Sequence, residues 1–369
     1  MFDTARQNRF FFLSCLVFLS LTCIISLASN SFIASEKLST DPYFFLNREI
    51  IFLFFSIFAI LLIGFIPTRL YDRFSYSIIG LNIFLLVLVF IPGIGKSVTT
   101  SYGREFNRWI SFGSFQIQPS EICKITSVIF LSSILKEFKK GESILEIIKP
   151  TIVILMMLIL IFMEPAFGTT IEIIILAIIY LIYFELKTSY ILIFILSCLP
   201  LAFIFVQFVG YRKKRLDVWL NPFKYKFDDG HQMVMSFKSI YNTDSLGQPI
   251  QNQISHRLLP YNYTDFAFVS FLEDIGWVGV VFYFLILFYF FRFWYESNLK
   301  IQDSFRYYIS NGFFTIFMIQ ILMNLSVVSG FIPVTGLSYP FLSYGGSYFF
   351  VSSVMLGIVY KIFKEEGIV

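Results

Sequence analysis

From Phe266 to Phe291 the chain reads FAFVSFLEDIGWVGVVFYFLILFYFF, and a run of that length and apolarity suits a bilayer, which about 20 residues of α-helix cross. Lipid offers the backbone no hydrogen bonds, so runs of this kind are expected to be helical throughout. Similar runs recur near 10–33, 49–66, 75–94, 119–135, 145–163, 168–185, 189–209, 308–329 and 346–363. The expected fold is therefore all-α and polytopic, with ten transmembrane helices and residues 1–369 forming a single membrane domain. Composition agrees: hydrophobic residues make up 57% and charged residues 14%, against roughly 45–50% and 25% in soluble domains. The 49 Phe are read as filling lipid-facing positions, and a net charge of +4 gives no sign of nucleic-acid binding.

Cys15, Cys23, Cys123 and Cys198 all lie in apolar runs without CxxC spacing, as small core residues do. His231 and His256 have no third nitrogen or sulfur ligand nearby, so no metal site is expected on them. The opening MFDTARQNRF leads into an apolar run without a convincing cleavage site, which reads as an uncleaved first helix. Of 28 Lys and Arg, fourteen fall on the side that carries both termini and fourteen on the other, but eight of the latter lie in one long connection. Long connections weigh little in topology, so both termini are expected in the cytoplasm.

Three outer connections carry more polar and turn residues than linkers need. The first, Lys96 to Glu121, ends in Pro119, Ser120 and Glu121, a helix start that sets Glu121 and Lys124 on one face. An isolated charge at membrane depth costs at least roughly 2.5 kcal/mol, so this pair serves either function or structural stapling. The second is the large connection 210–265 between the seventh and eighth helices. Its basic cluster Arg212, Lys213, Lys214 and Arg215 either attracts lipid phosphates or forms a solvated helix end. Asp265 closes this connection directly before an apolar helix, as a proton acceptor at the membrane surface or as an N-cap. The third, SGFIPVTGLSYPFLSYGGSYFF, is broken by Pro333, Pro340, Gly330, Gly336, Gly345 and Gly346, and is expected to form a re-entrant loop over 330–346. Glu273 and Asp274 are adjacent in a helical run, so at most one is expected to face a cavity. Both are read as partners for cations of the inner core.

Together these pieces resemble the SEDS family of membrane glycosyltransferases, the FtsW, RodA and SpoVE group. RWISFGSFQIQPSEICK, EPAFGTT, YRKKRLDVWLNP, GHQMVMS, LLPYNYTDFAFVSFLEDIGWVG and GFIPVTGLSYPFLSYGGS occur in the family's order from about 100 to 350. The resemblance implies an inverting polymerase of lipid II, in the cytoplasmic (inner) membrane, with Asp265 as the catalytic carboxylate. It implies that Arg108, Glu121 and Lys124 line the polar core, and that Gln232, Ser236 and the loop with Pro340, Ser343, Gly345, Gly346 and Ser347 border it. Thr264, Arg212 and Arg215 are expected beside the substrate. Neutralisation of the leaving pyrophosphate falls to the basic cluster or to a divalent cation, magnesium or manganese. The implied partners are a class B penicillin-binding protein and other divisome or elongasome membrane proteins. YRKKRL, GHQ and GREFNRWI look closer to the division type, FtsW, than to the elongation type, RodA.

Three positions depart from the family pattern. Pro-Glu-x-His-Thr-Asp is replaced by Pro260, Tyr261, Asn262, Tyr263, Thr264 and Asp265. Pro-Asp-x-Gly-Thr is replaced by Pro165, Ala166, Phe167, Gly168 and Thr169, so the role of the lost acid is absent or passes to Glu164 or Glu172. A glycine-rich stretch gives way to YNTDSLGQPI. A lipid-linked precursor flippase or other transporter, and an inactive divisome scaffold, are the competing readings.

Overall fold

A computed structural model of the chain describes residues 2–32, 35, 41, 43–99, 105–112, 115–138, 144–164, 166–184, 192, 196, 210–249 and 252–369. Among them five helices are long and apolar enough to cross a membrane, and three shorter apolar helices accompany them. The expected crossing near 189–209, with Cys198, lies outside the described residues. Chain contacts divide the molecule into two compact units, Met1–Phe65 with Arg215–Ile301 and Phe317–Val369, and Ile66–Lys214 with Gln302–Ile316.

The first unit contains α1 (Phe2–Asn30) and α2 (Phe44–Ile63). The second contains α3 (Thr68–Arg73), α4 (Ser75–Val89), β1 (Gly95–Thr99), β2 (Glu105–Phe112), β3 (Phe115–Ile117), α5 (Pro119–Glu137), α6 (Ile144–Met163) and α7 (Phe167–Tyr183). Next come α8 (Gly210–Leu220), a 3₁₀ turn at Pro222–Tyr225, α9 (His231–Asn242), α10 (Ser255–Leu258), α11 (Ala267–Asn298), α12 (Ser304–Val328) and α13 (Gly346–Glu365).

In the second unit the connection after α4 is not a simple linker. β1, β2 and β3 pair as an antiparallel three-stranded sheet, a local addition to the expected helical fold. Its register sets Ile110 opposite both Gly95 and Ile117, and Ile110 is buried. α5 starts with Pro119 at a position where the missing N–H costs no bond. Most of its side chains are buried, including Ser120, Glu121, Lys124, Thr126 and Ser127. A polar helix that is buried must find partners inside the protein. Asn82 of α4 supplies two, donating to Pro119 O at 3.1 Å and accepting from Thr126 Oγ1 at 3.0 Å.

In the first unit α13 lies against α2. A Cβ at Gly346 would overlap the Phe52 ring, and one at Gly357 would come within 3.3 Å of Ile60. Aromatic contacts join α1 to α11 and α13, with Phe12 centred 5.8 Å from Phe290 and 6.0 Å from Phe363.

α11 breaks at Gly276, whose φ of 69° is left-handed. There the segment after α9 threads against the helix. Gln248 N donates to Glu273 O at 2.8 Å and Val278 N to Ser245 O at 3.0 Å. Gly247, also left-handed at φ 88°, has no room for a Cβ beside Asp274 O. Two glycines thus let two backbones meet where side chains would hold them apart.

Glu273 and Asp274 serve this junction rather than inner-core cations. Glu273 accepts from Ile254 N at 3.2 Å and Ser255 N at 2.9 Å, and also from the Ser255 hydroxyl. Asp274 accepts from Gln253 Nε2 and Ser29 Oγ, both at 3.0 Å, with His256 Nε2 3.5 Å away. Adjacent acids reach one segment because that segment wraps the helix.

A side chain at Gly276 meets both the left-handed φ, worth about 1–2 kcal/mol against an L-residue, and the neighbouring Gly247 backbone. Gly276→Ala is expected to lower the thermal unfolding temperature of the detergent-solubilised protein by several degrees. Gly80→Ala, on a helix with nothing within 4 Å of the added carbon, is expected to leave it unchanged or raise it.

Candidate functional site

Asp265 lies in a turn that backbone bonds tie tightly. Thr264 N and Phe266 N both donate to Tyr261 O, at 3.1 and 3.2 Å, and Tyr261 takes a left-handed φ of 58°. α11 begins after Phe266, which takes the N-cap position one residue beyond Asp265. The carboxylate is half-buried. A Cβ built on Gly336 would have Asp265 Oδ2, at 3.9 Å, as its only neighbour within 4 Å. Open space therefore lies beside the acid, bordered by a glycine with φ 76°.

The irregular stretch between α12 and α13 holds this turn from the other side. Asn324 of α12, fully buried, donates through Nδ2 to Asp265 O at 2.9 Å and to Leu337 O at 2.7 Å. Ser343 donates to Thr264 O at 2.6 Å and accepts from Tyr339 N at 2.8 Å. Tyr344 N donates to Tyr263 O at 2.7 Å. Each of these pairs a non-helical backbone group that lipid could not satisfy.

The ring of Tyr263 lies 4.5 Å from that of Phe45, tilted by 31°, and Phe45 lies 4.9 Å from Tyr344. Burial raises the phenol pKa of Tyr263, and that of Tyr344 to about 12, so neither adds negative charge beside Asp265 at neutral pH. Asn262 is buried and donates to Asn30 O at 3.0 Å.

The connection 210–265 docks on the same stretch. Arg215 Nη1 donates to Val334 O at 3.2 Å and Trp219 Nε1 to Gly330 O at 2.8 Å. Val334 and Gly336 are two residues, at most about 7 Å, apart, so Arg215 and Asp265 border one short piece of chain. Ser236 is fully buried and donates to Val328 O at 2.8 Å, which makes it an anchor of α9 rather than a cavity-lining hydroxyl. Gln232 is half-buried on α9. The side chain of Arg212 lies outside the described residues. Pro340 and Gly346 are buried, whereas Thr264, Gly345 and Ser347 are half-buried.

Arg108, Glu121 and Lys124 belong to the second unit. Lys124 is completely buried, with Nζ 2.8 Å from Glu121 Oε2 and 3.3 Å from Glu172 Oε2 of α7. Arg108 Nε donates to Glu164 O at 3.1 Å. Glu164 is buried, and its carboxylate oxygens meet no directed donor among the described residues. Burial pushes its pKa up to about 8, against the pull of Ser120 and the Arg108 charge. Among the described residues no three His, Cys, Asp or Glu side chains converge as metal ligands.

Two residues at these sites escape a reading of motifs. Asn324 sits in an ordinary helical run, and only its two carbonyl partners reveal its use. Glu49 of α2 is buried and accepts from Gly345 N at 3.4 Å. Its signal is an acid inside the apolar run REIIFLFF.

Bilayer-length helices, a buried ion cluster and an acid held by non-helical backbone define a multi-pass membrane protein of the polytopic kind. The FtsW/RodA/SpoVE family model, described as a cell cycle protein, matches residues 7–367, and the chain belongs to that family. It is 33% identical over 343 residues to a probable peptidoglycan glycosyltransferase FtsW of Buchnera aphidicola subsp. Schizaphis graminum, covering 90% of this chain and 94% of that one. A protein of the same description from Marinomonas mediterranea is 29% identical over 376 residues, covering 98% and 89%. The fold is similar to a chain in a structure on coordination of polymerization and crosslinking by a peptidoglycan synthase complex, with TM-score 0.78, 22% identity and coverage of 96% and 97%. It is also similar to the rod shape determining protein RodA of Thermus thermophilus, with TM-score 0.71, 19% identity and 96% coverage of both chains.

Asn324→Asp sets an acceptor against two buried carbonyls and is expected to destabilise more than Asn324→Ala. Each unsatisfied carbonyl costs about 1–3 kcal/mol, a difference that thermal unfolding in detergent measures. Glu164 has a second, pH-dependent signature. Its folded pKa of about 8 lies above the ordinary 4.5, so the unfolded state releases its proton first as pH rises. Its contribution to stability is full below 4.5 and is lost by about 8. Glu164→Gln is expected to flatten the fall in unfolding temperature across that window.

Proposed function

We propose that this chain polymerises lipid II into the glycan strands of peptidoglycan during cell division, with Asp265 as the general base. Family membership and the FtsW descriptions of its relatives support the reaction. The observation that supports the residue assignment is the placement of Asp265: held through its backbone by Asn324, with its carboxylate 3.9 Å from the open position above Gly336.

The acceptor sugar's hydroxyl attacks the anomeric carbon of a donor whose leaving group is a lipid pyrophosphate. The hydroxyl proton passes to the Asp265 carboxylate as the new C–O bond forms and the bond to the pyrophosphate breaks. Attack from the face opposite the leaving group turns an α-linked donor into a β-linked strand. The pyrophosphate leaves as a stable anion and needs charge neutralisation rather than protonation. Arg215 borders the same stretch as Asp265 and supplies that charge, with Arg212, Lys213 and Lys214 beside it in sequence.

This reading sets the chain in the cytoplasmic membrane with both termini inside and the 210–265 connection outside, where lipid II presents its sugars. The working partner is a class B penicillin-binding protein, a transpeptidase that crosslinks the strand.

The test is polymerisation by the purified full chain with lipid II and its penicillin-binding partner. General-base assistance is worth roughly 10²–10⁴-fold, so Asp265→Ala is expected to lose at least about a hundredfold in strand formation while still binding the partner. Equal strands from the variant would remove Asp265 from the mechanism. No strands from either protein would favour transport or scaffolding.

A further inference from the structure

The second unit carries a polar cavity of about 210 Å³ that the polymerase chemistry does not use. Three cations, Arg69, Lys136 and Arg306, line it with Asp72, Asp303 and Thr68. These residues come from α3, the last turn of α5 and the start of α12, all helix ends. Lys136 is seventeen residues beyond Pro119 along α5, about 25 Å at 1.5 Å per residue. That is close to the bilayer's hydrocarbon thickness of about 30 Å, so the cavity lies at the membrane surface opposite the Pro119 end of this helix. In the orientation proposed above, that surface is cytoplasmic.

Its charges are unevenly committed. Asp72 accepts from Lys136 Nζ at 2.6 Å and Ser133 Oγ at 2.7 Å. Asp303 accepts from Arg306 N at 3.0 Å, across the first turn of α12. Both acids are thus bound within the protein, and three cations against two acids leave the lining one positive charge in excess. The Arg306 guanidinium is oriented by Nε donating at 2.9 Å to Thr68 Oγ1, on a residue that is itself buried. Arg69, the neighbour of Thr68, is exposed.

A planar guanidinium fixed on one edge and a second one beside it match the tetrahedral oxygens of a phosphate. The volume is several times the roughly 30 Å³ that a water occupies in the liquid, enough for a phosphate with its ester substituent. We propose that this cavity binds a phosphate group, the headgroup phosphate of an anionic phospholipid in the facing leaflet. Basic pockets between transmembrane helices on the cytoplasmic side bind anionic lipid head groups.

Delipidated full-length protein in detergent is titrated with phosphatidylglycerol, phosphatidylcholine or inorganic phosphate, and bound species are counted by native mass spectrometry. Wild type is expected to retain phosphatidylglycerol over phosphatidylcholine. Arg69→Gln removes an exposed charge and is expected to keep the unfolding temperature while weakening phosphatidylglycerol retention about fivefold, with Arg69→Lys in between. Competition by inorganic phosphate would support the site and assign recognition to the phosphate alone. Its absence, with lipid binding retained, would support the site and assign recognition to the lipid-borne group. Equal retention of the two lipids, or unchanged phosphatidylglycerol retention in Arg69→Gln, overturns the proposal.

Discussion

A backbone that leaves the helical pattern near a bilayer must find a partner for every N–H and C=O it frees, because lipid supplies none. The stretch between α12 and α13 meets this demand with side chains from distant parts of the chain. Asn324 takes Leu337 O, Trp219 takes Gly330 O and Arg215 takes Val334 O, while Ser236 takes Val328 O at the end of α12. The same amide that binds Leu337 also binds Asp265 O. The acid and the irregular stretch therefore move as one body.

The described apolar helices were legible from apolar runs because lipid turns length and hydropathy directly into structure. Pro119 and the proline-glycine stretch were legible for a related reason, since both residues restrict backbone pairing. What stayed hidden is tertiary. Glu273 and Asp274 read as two faces of an unbroken helix, a geometry that Gly276 interrupts and that residues 245–248 and 253–256 meet with backbone and side-chain bonds. The string DIGWVG contained the glycine, but its partner Gly247 lies in a loop whose sequence carries no period. Ser236 looked available and is bound to backbone, because a hydroxyl's use depends on what packs above it. The small sheet at 95–117 was missed for want of clear alternation, as its strands are held by pairing more than by pattern.

The departures from the family pattern become intelligible through packing. Tyr263 cannot do the acid-base work of a histidine at neutral pH, but its ring completes a contact with Phe45 that fixes the turn carrying Asp265. Rigidity is retained there while a titrating group is lost, which leaves Asp265 as the acid of that turn.

The missing carboxylate at Ala166 has a different resolution. Ala166 is the N-cap of α7, where the helix's positive end would favour an anion. Glu172 lies six residues further, about 9 Å along the axis, and stands 3.3 Å from Lys124. That contact suits a fully buried ammonium, whose desolvation costs several kcal/mol unless close charges offset it. Glu121, on Lys124's own helix, provides one such charge, and Glu172 ties the lysine to a second helix.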